Sequence, residues 1–222
     1  MNGDGGKRPV DDAQLYLVAP ARLAAGELAD LVPELADAGV DLIQLREKGM
    51  EAGDVLRLGG PVLEACKEAG VPLVVNDRPD VALALQADGV HVGQNDLPIE
   101  FARRFFGDGI VGLSTHAAGE VDRALARSDL IDYFVVGPCF ETPTKPGRPA
   151  AGLDLVRYVA EQHTTLPWFA IGGINESNLD EVTGAGATRI VVVRAITEAA
   201  DPAGAAAGLK QRLVKARSRA RG

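Results

Sequence analysis

The sequence predicts one (β/α)8 barrel, and three observations lead there. Eight short apolar runs alternate with eight stretches whose leucines, alanines and valines recur at helical spacing. The apolar runs are nearly continuous rather than alternating with polar residues, the pattern of parallel strands covered on both faces. Eight such units in 222 residues match the compact end of the barrel's size range, and 46% hydrophobic residues supply a full core. An open doubly wound sheet is the structural rival, but LYLVAPAR follows the start of the first strand where a GxGxxG turn would be needed.

The elements follow in order. Leu15–Ala19 is a short strand, and residues 26–38 carry the first helical pattern. Val40–Leu45 is the second strand, followed by a helix over residues 51–68. The β-branched run Val71–Val75 leads to a short helix opened by Pro79. Asp88–Val92 is the fourth strand, and the next helix opens near Pro98, since proline suits a first helical position. Ile110–Ser114 and Tyr133–Val136 are the fifth and sixth strands, separated by a helix over residues 117–127. An irregular stretch, 137–151, precedes a helix over residues 153–161. Trp168–Ile171, a helix over residues 175–184, Arg189–Val193 and a helix over residues 201–216 complete the series. One domain, residues 14–216, thus follows a flexible Gly/Asp-rich leader, residues 1–13, and precedes a basic tail, residues 217–222.

Composition limits the function classes. With 24% charged residues and a net charge of −8, neither disorder nor nonspecific nucleic-acid binding is expected. Any phosphate must be held by local positive groups and a metal. Two cysteines, Cys66 and Cys139, do not make a disulfide framework and read as reduced thiols. The start lacks the apolar run of a signal peptide and no stretch is long enough to span a membrane, so a soluble cytoplasmic protein is expected, with a homo-oligomer left open.

Barrel active sites lie at the C-terminal ends of the strands, and the polar residues of this chain fall there. Strand two ends in Gln44, Arg46 and Lys48, which alternation puts on one face. Strand three ends in Asn76 and Asp77, strand four in His91 to Asp96, strand five in Ser114 and His116. Asp77 and Asp96, one unit apart, would point into the same mouth, where two carboxylates suit a hard cation such as Mg²⁺ that retains waters for a phosphorylated ligand. Taken singly, either aspartate could instead cap the next helix, and Arg46 to Lys48 could be a solvated turn. His91, inside an apolar strand, reads as a hydrogen-bonded core residue, His163 as a surface residue, and His116 as either a mouth residue or a helix start. Gly172–Gly173 after strand seven permits close backbone approach to a second phosphate, to which Val193–Arg194 after strand eight would add a contact. The Pro/Gly/Thr-rich loop after strand six offers Thr142, Thr144 and Lys145, which would clamp phosphate if the loop acts as a lid. Two phosphate pockets in one mouth suggest a reaction that joins two phosphorylated substrates.

With these residues in place, the chain resembles the thiamine phosphate synthase family. The resemblance runs from about Leu15 to Ala207 through QLREKG, VVNDRPDVAL, DGVHVGQNDLP, GLSTH, VVGPCFETPTKPG, FAIGGIN and VVVRAI, whose order and spacing together are specific. It implies a (β/α)8 barrel that couples hydroxymethylpyrimidine diphosphate to hydroxyethylthiazole phosphate, or its carboxylate, releasing pyrophosphate. By position it implies Gln44, Arg46, Lys48 and Asn76 as the diphosphate-substrate cradle and Asp77 and Asp96 as Mg²⁺ ligands. Ser114 and Lys145 would contact the pyrimidine substrate. Thr142, Thr144, Gly173, Val193 and Arg194 would hold the thiazole phosphate. Two positions depart from the common pattern: Arg194 stands where many relatives have serine, and Ala19–Pro20 where a Thr-Asp pair is frequent. No acid or base is assigned. Two rivals stay open, a thiazole tautomerase using His116 and a non-catalytic barrel that binds phosphate ligands.

Overall fold

The computed structural model describes residues 8–24, 26–141 and 151–220. Its eight long strands close into one parallel barrel: β1 (Leu15–Ala19), β2 (Leu42–Leu45), β3 (Leu73–Asn76), β4 (Gly89–Val92), β5 (Ile110–Thr115), β6 (Tyr133–Val136), β7 (Trp168–Ile171) and β8 (Ile190–Val192). β1 pairs with both β2 and β8, so the barrel has no free edge. Helices alternate with the strands on the outside: α1 (Leu28–Asp37), α2 (Ala52–Ala69), α3 (Pro79–Leu85), α4 (Ile99–Phe106), α5 (Ala118–Leu125), α6 (Gly152–Glu161), α7 (Leu179–Gly184) and α8 (Pro202–Ala220). A one-turn helix, Arg194–Thr197, intervenes between β8 and α8, and a two-residue antiparallel ribbon joins Arg22–Leu23 to Gly26–Glu27.

The expected alternation of eight strands and eight helices is therefore the architecture. The differences lie at the ends of elements. Pro98 caps α4 from outside instead of occupying its first turn, which begins at Ile99. Pro9–Asp12, within the stretch read as a leader, form a helical turn that buries Val10 and Ala13 beneath the barrel. α8 continues through Ala220, into the stretch read as a tail.

Strand periodicity divides the core in two. Leu15, Leu17, Ile43, Leu45, Leu73, Val75, Val90 and Val92 face the helices. Tyr16, Val18, Leu42, Val74, Ile110, Tyr133, Val135, Phe169 and Val191 fill the barrel interior. The same parity carries Gln44, Asn76, His91 and Ser114 inward at the C-terminal end, which turns the last interior layer polar.

The opposite end is fastened by a repeated device. An aspartate stands just before every strand from the set β2, β4 and β6, and each exchanges two hydrogen bonds with the preceding odd strand. Asp41 N–H donates to the Leu15 carbonyl (2.9 Å) while its carboxylate accepts from Leu15 N–H (2.9 Å). Asp88 does the same with Leu73 (2.9 and 2.8 Å), and Asp132 with Val111 (2.8 and 2.7 Å). Before β8 the position holds Arg189, whose guanidinium donates to the carbonyls of Ala13 and Asp11. Lys210 on α8 pairs with Asp41 (2.5 Å), tying the last helix to the first two strands.

Candidate active site

The polar layer opens into two adjacent cavities at the C-terminal mouth. One, of about 270 Å³, is lined by Arg46, Lys48, Asn76, Asp77, Asp96 and Ser114 among others. The second, of about 280 Å³, is lined by Gly137, Gly172, Gly173, Asn175, Val193 and Arg194 among others. His116 lines both and forms part of their shared wall.

In the first cavity the chain bends to deliver its carboxylates. Asp77 adopts a left-handed backbone conformation (φ 63°), which aspartate tolerates better than most residues. Its N–H donates to the His91 carbonyl (2.8 Å), locking the end of β3 to β4. α3 is capped by Arg78 and α4 by Pro98, so neither Asp77 nor Asp96 is spent as a helix cap. Asp96 accepts instead from Gly93 N–H (2.7 Å) and hydrogen-bonds to Asp77. Lys48 Nζ lies 3.2 Å from the Asp77 carboxylate.

The two carboxyls titrate apart. Burial pushes Asp96 upward, and the hydrogen bond and charge of Asp77 push the same way, against Gly93 N–H and Lys48. For Asp77, burial also acts upward, but the hydrogen bond from Asp96 and the contact with Lys48 outweigh it and leave Asp77 lowered. Two adjacent carboxyls that cannot both ionise freely form a site a cation would relieve. The donors are hard oxygens. Among the described residues no group of three or more His, Cys, Asp or Glu side chains could hold a metal, and two carboxylates are what they offer a cation in this cavity. That matches the way Mg²⁺ is shared between a few carboxylates, waters and substrate phosphates.

The second cavity is built from backbone. Gly172 (φ 106°) and Gly173 (φ 68°) turn the chain away from β7 in conformations that disfavour side chains. A Cβ at Gly172 would lie 2.5 Å from Pro138 Cα, and one at Gly173 2.8 Å from Phe140 Cβ. The turn is then braced from behind: Asn178 donates to the Gly173 carbonyl (2.9 Å), and Cys139 and Phe140 N–H donate to Ile171 and Gly172 carbonyls (2.8 and 3.0 Å). Gly172→Ala should therefore cost about 2 kcal/mol of stability and weaken binding in this cavity, as read by chemical unfolding and by ligand titration. Arg194 is half-exposed at the rim, its guanidinium 4.0 Å from Glu198.

His116 is held at the wall between the cavities. Its backbone N–H donates to the Glu120 carboxylate (2.7 Å), and its Nδ1 lies 2.6 Å from the Gly137 carbonyl. His116 thus lines the mouth and stands one residue before Ala117, the N-cap of α5.

The structure thus brings together Arg46, Lys48, Asn76, Asp77, Asp96 and Ser114 in one cavity and Gly173, Val193 and Arg194 in the other. Gln44 sits a layer deeper: it is buried and its amide nitrogen donates to the Tyr16 hydroxyl. Thr142, Thr144 and Lys145 lie outside the described residues. His91 is buried, hydrogen-bonded to Tyr133 and Ser114, and His163 is exposed. The strand pattern alone does not single out Tyr16 and Tyr133, which the structure places in the barrel interior. Their inward parity beside Gln44 and His91 was the signal available.

A closed (β/α)8 barrel with two carboxylates and two cations in its mouth, beside a glycine-lined backbone pocket, fits the class of barrel enzymes that handle phosphorylated ligands. The comparisons with known proteins narrow that class. The family described as thiamine monophosphate synthase matches residues 15–196. The thiamine-phosphate synthase of Acidothermus cellulolyticus is 54% identical over 211 residues, covering 95% of this chain and 99% of its own. A thiamine phosphate pyrophosphorylase structure from Pyrococcus furiosus superposes with a TM-score of 0.82 at 30% identity, covering 94% of this chain and 99% of its own. A 3-hexulose-6-phosphate synthase structure, at 20% identity and a TM-score of 0.62, shares the fold alone. The chain belongs to the thiamine monophosphate synthase family.

Proposed function

We infer that this chain is a thiamine-phosphate synthase, a transferase that joins hydroxymethylpyrimidine diphosphate to the thiazole phosphate, or its carboxylate, and releases pyrophosphate. The observation that carries the reading is the pair of cavities sharing His116 as a wall. Two phosphorylated substrates held on either side of one side chain would be close enough to react with each other.

In this reading the diphosphate substrate occupies the Arg46–Lys48–Asn76 side, with Ser114 against its pyrimidine and Lys145 reaching its diphosphate. Gln44, one layer deeper, supports that cradle from below. Arg46 and Lys48 bring positive charge to where the departing pyrophosphate gathers negative charge. Asp77 and Asp96 would hold Mg²⁺, which would supply further neutralisation of charge on the leaving group. The electron-rich aminopyrimidine can bear the cation left at its methylene carbon. The thiazole ring, anchored by its phosphate on Gly173, Val193 and Arg194 with Thr142 and Thr144, presents its nitrogen to that carbon. Positioning supplies much of the rate, and no side chain need act as a general base. Two unpaired buried thiols and chemistry on charged phosphorylated metabolites suit the cytoplasm, to which we assign it.

The test is to mix the protein with both substrates and Mg²⁺ and to follow thiamine phosphate and pyrophosphate. Equal, EDTA-sensitive formation of both supports the reading. Binding of the thiazole phosphate with no condensation product would favour a tautomerase or a binding protein. Arg194→Ala should raise the KM for the thiazole phosphate about five- to tenfold with kcat little changed. A charged hydrogen bond is worth more when buried, and Arg194 is not. If only the KM for the diphosphate substrate moves, the division of the mouth is wrong.

A further inference from the structure

Below the two cavities, five side chains form an unbroken hydrogen-bonded line across the barrel interior. Gln44 Nε2 donates to Tyr16 Oη; Tyr16 Oη and Tyr133 Oη are 2.8 Å apart; Tyr133 Oη lies 3.1 Å from His91 Nδ1; and His91 Nε2 lies 2.8 Å from Ser114 Oγ. All five are buried. Tyr16 and Tyr133 pack edge-to-face with Phe169, and Tyr133 stacks on His91 at 5.6 Å. The barrel makes room for this line at one place on β5: a Cβ at Gly112 would lie 2.1 Å from Tyr133 Cζ and 2.6 Å from His91 Nδ1. A side chain there would occupy the space of the Tyr133–His91 contact.

The line has a direction. Burial drives both phenols far above their ordinary titration range, so each carries one hydrogen. Gln44 Nε2 can only donate, so Tyr16 oxygen accepts from it, and Tyr16 must send its own hydrogen to Tyr133. Tyr133 then sends its hydrogen to His91 Nδ1. A neutral imidazole accepting at Nδ1 carries its proton at Nε2 and donates it to Ser114 Oγ. With the Gln44 amide nitrogen facing Tyr16, the reverse order would aim two donors at each other and leave a buried hydroxyl hydrogen without an acceptor, a penalty of about 1–3 kcal/mol. Only an amide turned end for end would let the line run the other way, and the His91 tautomer distinguishes the two.

We propose that Tyr16, Tyr133 and His91 are positioning residues that fix Ser114 as a hydrogen-bond donor toward the cavity it lines. The substrate atom that receives the Ser114 hydrogen is then an acceptor, a ring nitrogen or a phosphate oxygen. This rests on the assignment of Ser114 to the pyrimidine substrate made above, and it adds which way the bond runs and what sets it.

The first measurement needs no variant and no ligand: ¹⁵N chemical shifts of the histidine side chains in the metal-free protein at mildly alkaline pH. His116→Asn and His163→Asn samples would assign the three rings. His91 in the Nε2–H tautomer supports the relay; the Nδ1–H tautomer or a doubly protonated ring overturns it. Tyr133→Phe, which removes only the hydroxyl, should then abolish the tautomer bias. It should also raise the KM for the pyrimidine diphosphate about fivefold, the size of one misdirected hydrogen bond, with the KM for the thiazole phosphate within about twofold. A Tyr133→Phe protein with the tautomer and both constants unchanged overturns the positioning role. Ser114→Ala separates the two readings. If it leaves the pyrimidine KM unchanged, the placement of that substrate fails, while the tautomer still decides the relay.

Discussion

Asp77→Asn should lower turnover by about 10²- to 10³-fold, the usual loss when one preorganised charge is removed from a developing-charge site. It should also shift the Mg²⁺ concentration for half-maximal rate upward by at least about tenfold. The substitution is informative because it changes little else. Asparagine accepts the left-handed backbone (φ 63°) that position 77 requires, and the backbone bond to His91 stays. What disappears is the negative charge that faces Lys48 at 3.2 Å and shares a hydrogen bond with Asp96. Initial rates across a Mg²⁺ series, with both substrates saturating, give the result. Full activity at limiting Mg²⁺ would remove Asp77 from the metal site.

Asp96→Asn provides the comparison. Burial and Asp77 together disfavour the ionised form of Asp96, so replacing it relieves a like-charge contact in the metal-free protein. Activity should fall as for Asp77→Asn, yet the unfolding midpoint in Mg²⁺-free buffer should be unchanged or higher. A residue that lowers rate while easing the fold is one whose charge serves a ligand.

The barrel was legible because its rule is local. Short, near-continuous apolar runs such as Leu15–Ala19 and Tyr133–Val136 fit strands covered on both faces, and both begin and end where the sequence pattern says. Element ends were less legible, since Pro98 suits a cap as well as a first turn and tertiary context decides between them. Within the site, Asp77, Asp96, Arg46 and Lys48 could be read from position at strand ends. Whether they meet could not, because that depends on the tilt and closure of the barrel. The deeper line was harder still. Tyr16 and Tyr133 belong to different strands, 117 residues apart, and an inward tyrosine is ordinary core until its hydroxyl is seen to have a partner. Only the polar residues on the inward register, Gln44, Asn76, His91 and Ser114, hint in the sequence that the interior is not wholly apolar.

The second large effect is expected far from the mouth. Asp132→Ala should destabilise the protein by about 3 kcal/mol, near the lower end for breaking a buried ion pair, and lower the thermal midpoint by about 6–12 °C. The Asp132 side chain is 4% exposed and accepts from three directions: Arg103 (2.6 Å), Arg8, and the fully buried N–H of Val111 (2.7 Å). Removing it strands that N–H and leaves two guanidiniums without their carboxylate. The loss stops short of the upper range because Arg103 still donates to the carbonyls of Gly107, Gly109 and Leu130, and Arg8 reaches solvent. The exposed pair Arg57–Asp54 sets the contrast, since its removal should change stability by less than about 0.5 kcal/mol. Chemical unfolding midpoints of the two variants measure the difference. Equal midpoints would mean that the aspartates before β2, β4 and β6 are not what fastens the lower end of the barrel. The Mg²⁺ dependence of activity should be the same in folded Asp132→Ala as in the parent, because the polar mouth and the aspartate ring stand at opposite ends of the same strands.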